Sequence, residues 1–199
     1  ERDRYNSSNP YSATKAGGEE LAVAFENTYK MPIYITHTMN VFGQRQHPEK
    51  FIPMCIRKVN DGDPITIHSD ATRTIPGSRF YIHAADVADA MHFLLQLDES
   101  KLEADYGDAK CPKFNLVGKQ EINNLQLAQI IADSQGKELK YEMMDFHSAR
   151  PGHDLRYALS GEYMKKLGWE PKVDLTERIG EVVEWTLQND RWLRCEDDE

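Results

Sequence analysis

Tyr11 and Lys15 are the first residues of this chain whose types and spacing could do chemistry together. On a helix, side chains four residues apart point the same way, one turn apart. An ammonium group in that position stabilises tyrosinate, and a phenolate can take a proton from a hydroxyl group while hydride leaves the same carbon. The alternative is an ordinary pair of side chains on a helix surface. The spacing predicts a general base only if the surrounding elements place the pair in a cleft.

The elements that would position this pair alternate between helices and strands. Leu21, Phe25 and Tyr29 recur every four residues and predict a helix over 12–29, and a dense β-branched run follows as a strand over 33–38. The other predicted strands are 64–68, 79–83, 114–117 and 139–144, and the other predicted helices are 51–60, 86–97, 124–134, 161–167 and 175–189. This order is typical of the α/β class.

The sequence contains no Gly-rich turn that joins a leading strand to a helix. A Rossmann dinucleotide site needs that turn, because the pyrophosphate rests on the amides of a helix N-terminus. We therefore expect strand 33–38 to be a late strand of such a sheet, with the earlier strands and the cofactor half outside this chain.

Composition excludes several classes of function. The net charge is −9, which argues against general affinity for nucleic acid or anionic membranes. No apolar run approaches the ~20 residues of a membrane helix, and the charged first residues predict no signal peptide. Cys55, Cys111 and Cys195 have neither disulfide nor zinc spacing. We expect a cytoplasmic protein with reduced thiols and no metal site.

Several segments, in collinear order, resemble the extended short-chain dehydrogenase/reductase superfamily of NAD-dependent epimerases and dehydratases. They are NPYSATKA (9–16), TMNVFGQRQHPEKFIP (38–53), RFYIHAADVA (79–88), FNLVG (114–118), RPGHDLRYA (150–158) and KLGWEP (166–171). The stretch 150–158 is most similar to the dTDP-glucose 4,6-dehydratases. The resemblance covers nearly the whole chain and corresponds to the C-terminal portion of such an enzyme.

The resemblance implies an α/β fold: the late part of a Rossmann-type parallel sheet plus a smaller C-terminal α/β substrate-binding domain. Residues 1–43 would be the remnant of the NAD-binding Rossmann domain, with the active-site helix and a late strand. Residues 44–199 would be mainly the substrate-binding domain, with helix 86–97 and strand 114–118 returning to the Rossmann sheet. It also implies NAD as cofactor, a nucleotide-diphosphate sugar as substrate, and a homodimer.

Roles for individual residues also follow from the resemblance. Tyr11 would be the general base at the sugar C4 hydroxyl, and Lys15 would hold the nicotinamide ribose. The implied cofactor contacts are Tyr11, Lys15 and Asn40, and the implied substrate contacts are Asn40, Lys50, Phe51, Thr66, Ile67, His68, Arg79, Asn115, Arg150 and His153. Arg79 and Arg150 would clamp the diphosphate, since guanidinium groups suit phosphate oxygens.

Each of these contacts has a simpler alternative. Arg79 could be an exposed edge residue, and Arg150 could be solvated, with Arg156 serving in its place. His153 could stabilise a turn, and Asn115 could cap a loop. Lys50 could be merely solvated. We assign His37, His83 and His92 to structure.

The implied activity is a 4,6-dehydratase that converts NDP-glucose to NDP-4-keto-6-deoxyglucose, with this chain alone inactive. The sequence departs from that pattern at Val41, where a second Asn is usual, and in the loop 69–78, which leaves the nucleobase open. The acid/base pair of the dehydratases would precede residue 1. The alternatives are therefore a nucleotide-sugar 4-epimerase or related epimerase/decarboxylase, a non-catalytic nucleotide-sugar-binding fragment, and a folding or interaction module.

Overall fold

A computed structural model describes residues 5–98, 102, 111–145 and 155–194. Its helices are α1 (Pro10–Tyr29), α2 (Phe51–Asp61), α3 (Ala84–Leu95), α4 (Asn124–Ser134), α5 (Glu162–Leu167) and α6 (Leu175–Leu187), followed by a 3₁₀ turn (Asp190–Trp192). Its strands are β1 (Ile35–Thr38), β2 (Asn40–Phe42), β3 (Ile65–Ser69), β4 (Ser78–His83), β5 (Lys113–Leu116), β6 (Glu121–Asn123), β7 (Tyr141–Asp145) and β8 (Arg156–Tyr157). The α/β class predicted from the sequence is confirmed.

Helix α1 begins two residues before its predicted start because of its cap. The side chain of Asn9 accepts a hydrogen bond from the Ser12 amide at 2.9 Å, and the Ser12 hydroxyl lies 3.3 Å from the Asn9 amide, which completes a capping box. Pro10 occupies the first turn, where its missing N–H costs nothing. The helix ends at Lys30 in the left-handed region, with φ of 55°.

The strands form three small sheets, most of whose pairs are parallel. β1 pairs with β5 from Ile35↔Lys113 to Thr38↔Leu116, and β2 pairs with β4 from Asn40↔Tyr81 to Phe42↔His83. β3 pairs with β7, and β4 also takes β6 on an antiparallel edge and β8 on a parallel one. The sequence predicts neither a helix nor a strand at 40–42, yet Asn40–Phe42 forms a strand because β4 supplies its hydrogen-bonding partners.

Two apolar cores formed by the described residues hold these sheets. The larger packs α2, α4 and α6 against β3, with Ile56, Ile65 and Ile131 fully buried. The smaller packs α3 and α5 against β5 and includes Phe114 and Trp169.

At Gly118 the chain that follows β5 passes close to the backbone of β4. A Cβ placed there would lie only 1.9 Å from the carbonyl oxygen of Tyr81. Only glycine lets the chain after β5 pass this close to β4.

Candidate active site

The edge of α1 that carries Tyr11 and Lys15 is open. Both side chains are exposed, Tyr11 to 74%. Neither makes a side-chain hydrogen bond or ion pair with another described residue. The helix itself has no buried residue among those described. The phenol and the ammonium group are therefore open to a ligand, but the described residues do not enclose them in a cleft.

One helical turn beyond Lys15, Glu19 ties this edge to the β1–β5 strand pair. Its carboxylate lies 2.5 Å from Lys113 Nζ of β5 and 2.7 Å from His37 Nε2 of β1. Burial raises the pKa of Glu19, but hydrogen bonds from Lys113, Tyr5 and His37 outweigh burial and lower this pKa to about 2. Glu19 is thus a permanent anion that anchors the helix carrying Tyr11.

Asn115 lies at the other end of the same network. Its side chain is almost completely buried, at 3% exposure. Its amide nitrogen donates to the Ser160 carbonyl at 3.0 Å, and its amide oxygen lies 3.3 Å from His37 Nδ1. The amide therefore has partners inside the protein on both sides.

Asn40 is exposed near the carboxyl ends of β1 and β5. The amide of the preceding Met39 donates to the Leu116 carbonyl at 3.0 Å, which extends the β1–β5 register to this point. In open α/β sheets ligands bind outside the carboxyl ends of the strands. This position suits Asn40 for a ligand contact.

The next predicted residues lie along α2 and β3. Lys50 is exposed at the N-cap of α2, and Phe51 is half-buried against the larger core. Thr66 donates its hydroxyl to Glu142 at 3.0 Å, and both Thr66 and His68 are half-buried on one face of β3. Ile67 points to the opposite face and is fully buried in the core. On the face of β3 that carries Thr66 and His68, Ile67 therefore presents only its backbone.

Arg79 is held by two backbone carbonyls. Its Nη1 donates at 2.6 Å to Ser78 and at 2.6 Å to Leu155, the residue just before β8. The alternative arginine, Arg156, forms a two-pronged pair with Glu121 at 2.8 Å for each contact. Because the Glu121 carboxylate already neutralises Arg156, Arg156 is a poorer candidate than Arg79 for binding a phosphate group.

Arg150 and His153 lie outside the described residues.

A cavity of about 320 Å³ opens beside Asn115, lined also by Phe80, Gly118, Ser160 and Trp169. Among the described ranges, no cluster of three His, Cys, Asp or Glu side chains could hold a metal ion.

Sequence reasoning missed Glu19, His37 and Lys113 as parts of the site. One signal could have revealed Glu19: it continues the four-residue spacing of Tyr11 and Lys15. Nothing in the sequence alone brings positions 19, 37 and 113 together.

The chain matches a known protein family over most of its length. The model of the family described as GDP-mannose 4,6 dehydratase matches residues 1–182. The chain belongs to this family. The resemblance found in the sequence motifs is thereby confirmed.

Curated relatives agree with this membership. A dTDP-glucose 4,6-dehydratase from Haemophilus influenzae is 33% identical over 193 residues, covering 95% of this chain and 55% of the relative. The low-salt glycan biosynthesis protein Agl12 from Haloferax volcanii is 33% identical over 182 residues, covering 92% of this chain and 54% of the relative. The chain thus spans about half the length of these two relatives.

A solved structure shows the same fold. The dTDP-glucose 4,6-dehydratase DesIV from Streptomyces venezuelae, with NAD and TYD bound, superposes with a TM-score of 0.77 at 28% identity, covering 96% of this chain and 55% of that one. A Thermus thermophilus UDP-glucose 4-epimerase in complex with NAD has a TM-score of 0.74 at 23% identity, covering 95% of this chain and 59% of that one. The latter shows the likeness of fold alone. The Rossmann-type architecture expected from the motifs is confirmed.

Proposed function

We propose that this chain forms the substrate side of an NAD-dependent nucleotide-sugar 4,6-dehydratase, which converts NDP-glucose to NDP-4-keto-6-deoxyglucose with net loss of one water. The observation that carries the proposal is the anchored, open edge of α1. Tyr11 and Lys15 are exposed there, while Glu19 on the next turn is bound to His37 and Lys113. The 33% identity to a dTDP-glucose 4,6-dehydratase, over an alignment that covers 95% of this chain, supports this reaction.

The chemistry of this edge suits a proton transfer. In this scheme Tyr11, as the phenolate, accepts the proton of the C4 hydroxyl group, and the ammonium group of Lys15 lies one helical turn away. Oxidation at C4 yields a ketone, which acidifies the C5 proton and makes loss of the C6 hydroxyl group as water feasible. Return of the hydride to C6 and of a proton to C5 then gives the 4-keto-6-deoxy sugar. In this scheme the chain contributes the base and the surface that orients the sugar.

NAD, when bound, supplies the hydride acceptor. The donor set present here suits its nicotinamide ribose, because Tyr11 and Lys15 offer a hydroxyl and an ammonium group that no other described side chain occupies. Asn40 completes this set from the carboxyl end of the strands.

The remaining contacts are part of the same proposal. Lys50 and Phe51 border the sugar and diphosphate, and Thr66 to His68 flank the nucleobase, with Ile67 contributing through its backbone. Arg79, whose orientation is fixed by two carbonyls, binds the diphosphate together with Arg150. Asn115 borders this region, and His153 contacts the nucleotide.

The proposal extends to assembly and location. Helix α1 exposes Leu21 to 59%, Phe25 to 43% and Tyr29 to 67%. An apolar surface of this kind favours association, which supports a homodimer.

Among the described residues no helix is long and apolar enough to cross a membrane. We place the enzyme in the cytoplasm.

A mass-spectrometric assay tests the reaction. The full-length gene product is incubated with NAD and, separately, with dTDP-, UDP- and GDP-linked hexoses. We expect loss of one water from one of these substrates, and abolition of that loss in Tyr11→Phe. Tyr29→Phe, an exposed tyrosine on the same helix, is the matched control. Conversion to an isomer of unchanged mass would instead identify an epimerase and overturn the proposal.

A further inference from the structure

The imidazole of His37 lies between two elements of the site. Its Nε2 is 2.7 Å from Glu19 Oε2 on α1, and its Nδ1 is 3.3 Å from Asn115 Oδ1 on β5. His37 itself belongs to β1. One side chain therefore links the helix that carries Tyr11 to both strands of the parallel pair.

The neighbours of His37 determine its protonation. A carboxylate oxygen can only accept, so Nε2 must donate to Glu19. The Asn115 amide is oriented by the Ser160 carbonyl, which requires the amide nitrogen at 3.0 Å to face it. The oxygen of Asn115 is thus the atom turned toward Nδ1, and Nδ1 must donate as well. Donation from both ring nitrogens is the hydrogen-bonding pattern of an imidazolium.

Charged and titratable groups from each adjoining element face this cluster. Glu19 contributes the anion from α1, and Lys113 of β5 lies 2.5 Å from its other oxygen. Tyr5 accepts a hydrogen bond from Lys113 at 3.3 Å. Glu26 lies further along α1, and Cys111 lies just before β5. Burial is the main cause that raises the pKa of the Cys111 thiol, and the charges of Glu26 and Glu19 raise it further. A single carboxylate, Glu19, therefore directly balances two cations.

We propose that His37 is a positioning residue, held as an imidazolium between Glu19 and Asn115, that fixes the Tyr11-bearing helix on the β1–β5 strand pair. Its effect on turnover rests on the proposed function, because it acts through Tyr11 and touches no substrate.

The need for such a positioning residue follows from how α1 is held. The helix buries none of its described residues, so apolar packing within this chain contributes little to its placement. Glu19 ties the helix to both β1 and β5, and the thiol of Cys111, just before β5, lies 4.0 Å from the Ala22 carbonyl oxygen of the helix. Misplacement of a reacting group by about 1 Å can cost on the order of 10²-fold in rate.

Two substitutions in the full-length enzyme separate the effect of the hydrogen-bond donors of His37 from the effect of its side-chain volume. His37→Gln can donate from only one end of its amide, and we expect kcat to fall roughly 10- to 100-fold with KM nearly unchanged. His37→Arg is always charged and donates in two directions, so we expect it to restore most of kcat. His92→Gln, an exposed position on α3, is the control and should match the wild type. Wild-type kcat for His37→Gln, or equal loss in folded His37→Arg, would overturn the proposal.

A direct measurement needs no turnover. In ¹⁵N-histidine-labelled protein at pH 7, both ring nitrogens of His37 should carry protons, with the signals assigned by their loss in His37→Arg. A neutral ring with a bare Nδ1 would overturn the proposal even if the enzyme is a dehydratase. If instead no dehydratase activity is found, the proposed function fails while this spectrum still decides the state of His37.

Discussion

Replacing Glu19 by Gln tests the network that anchors α1. The pKa of Glu19 is lowered from 4.5 to about 2 in the folded protein. At about 1.4 kcal/mol per pH unit this corresponds to roughly 3 kcal/mol of stability. Because the network is partly open to solvent, we discount it and expect Glu19→Gln to lower the free energy of unfolding at pH 7 by about 2 kcal/mol. The lost stability is that of Lys113 left without its anion, together with the contact between Glu19 and His37.

The pH dependence of this stabilisation follows from the direction of the Glu19 pKa shift. A carboxylate with a lowered folded-state pKa stabilises the protein fully above its unfolded pKa of 4.5, and this contribution is lost as the pH falls toward 2. Urea unfolding at pH 7 should therefore give a lower free energy of unfolding for Glu19→Gln than for the wild type and the exposed control Glu20→Gln. This difference in the free energy of unfolding should become smaller as the pH falls toward 2. Equal stabilities for Glu19→Gln and Glu20→Gln at pH 7 would refute the reasoning.

Three further outcomes follow from the geometry. Gly118→Ala should destabilise the protein by more than about 3 kcal/mol in urea unfolding, because the added Cβ would collide with the backbone of Tyr81. Tyr11→Phe should lower kcat by about 10²- to 10⁴-fold in a steady-state assay, while Tyr29→Phe should not. Arg156→Ala should leave the KM for the nucleotide sugar unchanged, since the guanidinium group of Arg156 is already paired; a marked rise in KM would show that Arg156 binds phosphate.

The helices and most strands were predictable because their signals are local. The four-residue spacing of Leu21, Phe25 and Tyr29 predicted α1, and helix 124–134 was predicted with the same limits as α4. Strand β2 was not predicted, because three residues carry little periodicity. It is a strand only because β4 lies beside it, and such pairing is a property of the tertiary structure.

The site was predictable only where a motif marked it. Tyr11 and Lys15 follow from spacing and are found together on one edge of α1. We assigned His37 to structure, and no local pattern indicates that it lies between Glu19 and Asn115. These three residues come from one helix and two strands, and only the parallel pairing of β1 with β5 brings them together.

The most direct test of the proposed reaction follows the hydrogen at the sugar C4. The full-length enzyme is given NDP-glucose that carries deuterium at C4, and the product is examined by NMR. The account predicts a 4-keto-6-deoxy sugar with the deuterium recovered at C6. Deuterium that remains at C4 in an epimerised or unchanged sugar would contradict it.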